Sequence, residues 1–358
     1  MKKTLLIFFL TFIIGILPCG CATPLPKSEP GPATRSSPTP ESAPVPVQSP
    51  MAESGAGSVT GMQPTVSAPM GLRVVYIRDG NLWSWTEAGG KVQLTNTNDM
   101  ATARVSDDGQ VLAFMRGSEV WTVRMDGMDA SLLATQTSAG GALWFSPDGL
   151  LLAVSTNDHI DVINLMGSSS VTVVNYPALP DGYFPEVIWS PDSFGFKTVI
   201  PTLTANAQVE MLFVFTDGTV ASLAKFVMSP LSESLPHLSP DGGYLIYVAN
   251  LDSEQESLYL MDSSGATRPY GEAATHIQTY GWLPDSKQFV YGWEESRRTF
   301  IGNIGEPPAS HDIALPRTVR WVDNEHYLAI ENGDLVLGDY NGARTLIDFM
   351  VTDFDFIP

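Results

Sequence analysis

Residues 142–155 read ALWFSPDGLLLAVS, with a hydrophobic run on each side of Ser146-Pro147-Asp148-Gly149. These four residues suit a type I turn closed by a left-handed glycine: Ser accepts from the backbone, Pro fixes the first central φ, Asp tolerates the second, and Gly takes a positive φ. Such a turn reverses a strand sharply. Variants return along the chain as VSDDG from Val105, WSPDS from Trp189 (Ser190, Pro191, Asp192), LSPDG from Leu238 (Ser239, Pro240, Asp241, Gly242), WLPDS from Trp282 (Pro284, Asp285) and a shortened WVDN from Trp321. Taking the residue after the leading apolar one, the copies stand at 106, 146, 190, 239, 283 and 322, spaced by 40, 44, 49, 44 and 39. A period of about 40–45 residues is a propeller signature.

An apolar strand follows each turn, as in QVLAFM at 110–115, LLLAVS at 150–155, GYLIYVA at 243–249 and KQFVYGW at 287–293. Another strand then ends in a second turn (EVWTVRMDG, MLFVFTDG, SLYLMDSSG, LVLGDYNG), and a shorter strand comes after it. With the strand before the first turn this makes four per repeat, an all-β chain. The repeats resemble those of the TolB family of WD-repeat-like propellers, which carry the same W-S-P-D-G turn between the innermost and second strands. The resemblance covers nearly everything from Leu72 to Pro358 and implies the fold while leaving the function open. The segment from Arg73 lacks a first strand, and the terminal VTDFDFIP is a first strand with nothing behind it. Joined, they complete one blade and close the ring. The expected total is seven blades, departing from the six of TolB's own propeller, with six or eight as alternatives. Phe354 and Phe356 are expected in the core, with Asp353 and Asp355 on the opposite side.

At the N-terminus, Lys2 and Lys3 precede thirteen uncharged residues from Leu5 to Leu17, followed by PCGCATP. That run suits a signal-peptide core and is short for a membrane span. Its end resembles a bacterial lipoprotein signal, with Gly20 as the small residue before a lipidated Cys21, although Pro18 and Cys19 are unusual within that motif. The expected organisation is a signal at 1–20, a linker at 21–70 and a propeller at 71–358, tethered by lipid to the outer face of the cell membrane or the periplasmic side of an envelope membrane. Between Ala22 and Met70 stand eleven prolines and no aromatic residue, a composition that cannot bury a core. Half extended, this stalk would reach on the order of 70–80 Å. Cys19 and Cys21 are the only cysteines, so the head contains no disulfide. A net charge of −20 repels phosphate backbones and argues against a nucleic-acid partner.

Catalytic signals are absent. There is no G-x-S-x-G elbow, and His159, His237, His276, His311 and His326 stand singly, without metal-ligand spacing. No metal or cofactor is expected, since the turn aspartates recur once per blade rather than converging on one point. Trp144, Trp189, Trp282 and Trp321 are expected to pack blade against blade. One column remains. Two positions before each aligned turn residue stand Arg104, Trp144, Ile188, His237, Gly281 and Arg320, with Asp355 in the terminal strand, and these should line the central channel. Arg104, Trp144, His237 and Arg320 are therefore the candidate ligand-binding residues. The arginines and histidine could form an anion-binding mouth, or carboxylates such as Glu186 and Asp353 could pair with them. The leading expectation is a non-catalytic scaffold that binds a protein or envelope component through one propeller face. A lyase- or glycosidase-type propeller enzyme and a small-ligand sensor are the rivals.

Overall fold

The computed structural model describes residues 65–136, 139–167, 169–180, 182–204, 207–229, 235–250, 255–293, 298–311, 315–316 and 319–358. Cys21, the signal and the linker up to residue 64 lie outside them. The described chain is a β-propeller of seven four-stranded antiparallel sheets. Blade 1 combines residues 73–93 with the terminal strand Val351–Ile357, and blades 2 to 7 span 102–135, 142–175, 188–228, 237–274, 277–311 and 319–348. Each of these six is a meander in chain order.

The repeated turn behaves as its residues dictate. Ser146 Oγ donates to Asp148 Oδ1 at 2.6 Å, the Leu150 N–H caps the same oxygen at 3.0 Å, and the Leu151 N–H reaches back to Ser146 Oγ at 2.9 Å. Gly149 closes the turn at φ +68°. Blades 2 and 5 repeat this bonding around Ser106 and Ser239. The turns also link neighbours: Ser193 Oγ accepts the Asp148 N–H of the preceding turn at 3.2 Å, and Ser286 Oγ accepts that of Asp241 at 3.1 Å.

Second strands are apolar on both sides because each blade lies between two others. Val74, Val75, Tyr76 and Ile77 are all fully buried. Val74 and Tyr76 join a cluster with Leu328, Leu335 and Leu337 of blade 7, while Val75 and Ile77 join Ala103, Leu112 and Phe114 of blade 2. The same alternation fills every gap in the ring, with one hydrophobic cluster between each pair of adjacent blades.

The closing strand pairs with Arg73–Arg78, setting Phe354 opposite Tyr76 and Asp355 opposite Val75. Phe354 is buried and packs in the cluster between blades 7 and 1. Asp353 and Asp355 point the other way, accepting the N–H groups of Ala103 at 3.0 Å and Val105 at 2.8 Å in blade 2. Phe356 corrects the expectation of two core phenylalanines. It is half-buried, because near the end of the strand it also borders the channel cavity. A second fastening joins blade 7 to blade 1 at Asp348, whose carboxylate is fully buried. It accepts the Tyr76 hydroxyl at 2.8 Å and pairs with Lys91 at 2.9 Å and Arg78 at 3.3 Å. Burial alone would raise its pKa, but the bonds from Lys91 and Tyr76 hold it below the usual carboxylate range. Val66 and Ala68, within the segment expected to be linker, pack against this same cluster, and Thr345 Oγ1 donates to the Val66 carbonyl at 2.7 Å.

Candidate functional site

All seven residues of the aligned column face one cavity. Arg104, Trp144, Ile188, His237, Gly281, Arg320 and Asp355 line a channel space of about 500 Å³. They meet there because each occupies the same position on an innermost strand, where strand alternation turns one residue in two toward the axis. Both arginines are matched. Arg104 pairs with Asp353 at 2.8 Å and Arg320 with Asp355 at 2.6 Å, and Arg320 also donates to the Phe354 carbonyl at 2.8 Å. Its guanidinium lies near the Phe354 and Phe356 rings as well, 5.6 and 5.5 Å from their centroids. The positive charge of the column is thus balanced by the closing strand.

Two carboxyl groups in the cavity have no cation of their own among the described residues. Asp107 is pushed above its ordinary range by burial and by the neighbouring Asp355 and Asp108. Glu186, on the connection leading into blade 4, accepts the Leu238 N–H at 3.2 Å. Enclosure pushes its pKa up to about 7, against the lowering pull of the Leu238 N–H and of Arg320. His237 is driven the other way, down to about 4, by burial that outweighs a ring hydrogen bond to the Thr279 backbone. The imidazole is therefore neutral at physiological pH.

Glu186 and His237 also line a second cavity of about 200 Å³, shared with Trp144 and Leu238 and walled by Phe184, Pro185, Val199, Pro201, Leu235 and Pro236. It lies between blades 3, 4 and 5, at the end of the channel opposite the repeated turns. Glu186 was foreseen only as a counter-ion for the channel arginines. Its sequence signal is weak, because it stands two residues before the inner strand Ile188–Trp189 and so outside the aligned column.

The other singled-out residues hold the fold. The Trp189 and Trp282 indoles donate to the preceding blade's Trp144 and His237 carbonyls at 3.1 and 2.9 Å. Trp321 is buried in the cluster between blades 6 and 7, stacked on Tyr340. Trp144 differs, since it borders both cavities. His159 is buried and bonds Thr156 at 2.9 Å, His326 bonds Asp323, and His276 is exposed in a turn at φ +55°. The His311 side chain lies outside the described residues. Among the described residues, no group of three or more His, Cys, Asp or Glu could hold a metal ion.

The turn face carries a different feature. In each of blades 2 to 7 one residue caps the turn aspartate through its N–H, a bond that makes no demand on its side chain. That residue is Gln110, Gly243, Lys287 or Glu325 in blades 2, 5, 6 and 7, but Leu150 and Phe194 in blades 3 and 4. Leu150 is 48% and Phe194 70% exposed. The outer turns of these blades add exposed Met166, Phe215 and Val220 at the same end. Main-chain bonds tie the inner turns to the outer ones, from Leu165 to Leu150 at 3.0 Å and from Thr216 to Phe194 at 3.1 Å. Asp148, Asp192 and Asp217 stand exposed around the apolar side chains.

No family model and no curated protein sequence matches this chain. Solved structures do resemble it. A functionally unknown protein from Desulfotomaculum acetoxidans is 13% identical with a TM-score of 0.57, over 80% of this chain and 98% of that one. TolB from Acinetobacter baumannii is 15% identical with a TM-score of 0.46, over 80% of this chain, which spans 66% of the TolB chain. The Kuenenia stuttgartiensis hydrazine synthase is 15% identical with a TM-score of 0.48, over 69% and 78%. What the chain shares with the Desulfotomaculum acetoxidans structure is the fold, a β-propeller, here with seven blades.

Proposed function

We propose that this protein is a non-catalytic, extracytoplasmic binding module, tethered to the membrane through a lipid on Cys21, that engages a protein partner with the turn face of blades 3 and 4. The observation that carries this reading is the pair Leu150 and Phe194. Their backbone N–H groups do the structural work of the turn, as those of Gln110, Gly243, Lys287 and Glu325 do elsewhere. The fold therefore has no use for an exposed leucine and phenylalanine there, and they stand on the turns of adjacent blades, joined by the Asp148–Ser193 hydrogen bond, among other exposed apolar residues of the kind that mark protein interfaces. The channel supports the non-catalytic part: Asp353 and Asp355 are each bound to an arginine and a backbone N–H, so neither stands free to act as an acid or base. Gly20-Cys21 supports the tether.

The test is site-specific photocrosslinking on cells that naturally make the protein. A photoreactive residue at Phe194 should yield a discrete protein adduct, and one at Lys287, the equivalent position of blade 6, should not. Adding Leu150→Asp should abolish the adduct while leaving the melting temperature within about 1 °C, as expected for an exposed substitution. Equal labelling at both positions, or none at Phe194, overturns the assignment of this face.

A further inference from the structure

The smaller cavity between blades 3, 4 and 5 lies at the opposite end of the channel from the turn-face patch, and its chemistry is of another kind. Its walls of Phe184, Pro185, Val199, Pro201 and Pro236 are apolar. Where it opens into the channel, three groups meet that attract positive charge or hydrogen-bond donors. Glu186 has a single described hydrogen bond, from the Leu238 N–H to Oε2, so Oε1 is available. His237 is held by its ring bond to the Thr279 backbone, which leaves the other ring nitrogen of a neutral imidazole as an acceptor. Trp144 borders both cavities and brings an indole face.

The surrounding charges select the sign of the ligand. An anion would need Arg104 or Arg320, and both are held in ion pairs of 2.8 and 2.6 Å. Glu186 and Asp107 are the channel-lining charges left without a described ion pair, and both are acids. A cation at the junction would meet a carboxylate in a low-dielectric setting, where the attraction is far stronger than in water. Size narrows the choice further. The cavity, at about 200 Å³, is smaller than the roughly 300–1,000 Å³ of a drug-sized site, so its occupant's apolar part is the size of one large side chain.

We propose that this cavity binds an organic ammonium carrying one compact apolar group, with the ammonium between Glu186, His237 and Trp144 and the apolar group in the pocket lined by Phe184 and the prolines. The ammonium's donors match the carboxylate and the imidazole acceptor, and its charge matches the indole face. A free amine and the N-terminal residue of a peptide share this chemistry.

The experiment uses the full chain in nonionic micelles, with binding followed by ligand-observed NMR and calorimetry. Phenethylamine is the probe, 2-phenylethanol its neutral counterpart, and Phe-Gly-Gly and its N-acetylated form the peptide arm. Phenethylamine should bind with millimolar affinity or better. The alcohol should bind at least about tenfold more weakly, as loss of a charged hydrogen bond implies, and Glu186→Gln should weaken the amine by a similar factor while leaving the alcohol unchanged. If Phe-Gly-Gly binds at least as tightly as the amine and its acetylated form does not, the natural ligand is a peptide N-terminus; the reverse ranking points to a free amine. The amine–alcohol comparison on the parent needs no variant, so a poorly folding Glu186→Gln does not blunt the test. Equal affinity for amine and alcohol, equal affinity in parent and variant, or no binding of the amine overturns the proposal.

Discussion

Glu186→Gln should stabilise the propeller, and only at neutral and alkaline pH. In the folded chain the Glu186 carboxyl is pushed up to about 7 from an ordinary 4.5, with burial the largest cause. The folded state therefore holds this proton more tightly than the unfolded state does. Stability is present below pH 4.5, is lost as the pH climbs to about 7, and levels off above that. The shift of about two and a half pK units corresponds to roughly 3 kcal/mol at 1.36 kcal/mol per unit. Glutamine keeps the acceptor for the Leu238 N–H and carries no charge at any pH, so the variant escapes this loss. Parent and variant should melt together near pH 4 and separate to about 6–12 °C by pH 8, the variant higher, at roughly 2–4 °C per kcal/mol. His237 has the opposite slope. Its pKa is lowered to about 4, so it costs stability as the pH falls from 6.5 toward 4, but it does so equally in both chains and cancels in the difference. The assay is differential scanning calorimetry of both proteins at unit pH steps. A separation independent of pH, or a variant less stable at pH 8, would refute the claim that an unmatched carboxylate is held in the channel.

Asp348→Asn leaves Lys91 and Arg78 facing a neutral group in the seam between blades 7 and 1; breaking a buried pair in this way should cost about 3–5 kcal/mol, read as a lower urea midpoint at unchanged slope. Because the Asp348 pKa is lowered in the folded chain, that difference should shrink as the pH falls through the acidic range, and a pH-independent difference would count against the ion pairs as its source. Removing residues 351–358 deletes buried Val351 and Phe354, worth roughly 3–5 kcal/mol by transferred area, and exposes a sheet edge; light scattering should show association, and a monomer melting at the parent temperature would refute the closure. A head beginning at Met70 should melt below one beginning at Thr65, because Val66 and Ala68 pack on the last blade. Cys21→Ser should move the protein from the membrane to the soluble fraction, and continued membrane association would place the anchor elsewhere.

The ring and its channel column were legible in the sequence because one turn, repeated, sets a common frame: once Ser106, Ser146, Ser190 and Ser239 are aligned, strand alternation alone carries Arg104, Trp144, Ile188 and His237 to the axis. The pairing of the two arginines was not legible in full. Whether Arg320 meets Glu186 or Asp355 depends on how the closing strand registers against Arg73–Arg78, and on a backbone bulge near its start that no local pattern announces. Leu150 and Phe194 stood in plain view within the aligned turns. A single exposed apolar residue is ordinary on any surface, and it is the adjacency of blades 3 and 4, with Met166 and Phe215 brought in from the outer turns, that makes the pair informative. Phe356 shows the limit of alternation: it shares a side with Phe354, but along the strand the environment changes from a neighbouring blade to an open channel.

Blades 2 to 7 are each built from one contiguous stretch, so each can form as soon as its own residues are available. Blade 1 cannot. Its second strand comes first and its innermost strand last, Tyr76 pairing with Phe354 from the far end of the chain. At a synthesis rate of roughly 5–20 residues per second, the inner edge of Arg73–Arg78 waits about 15–55 s for its partner. During that interval the most apolar strand of the blade, RVVYIR, presents an unpaired ladder to any other strand nearby. The yield of native protein is therefore governed by a race between finishing the last blade and edge-to-edge association, so that slow elongation through residues 319–358 should lower it even though the stability of the finished ring is unchanged.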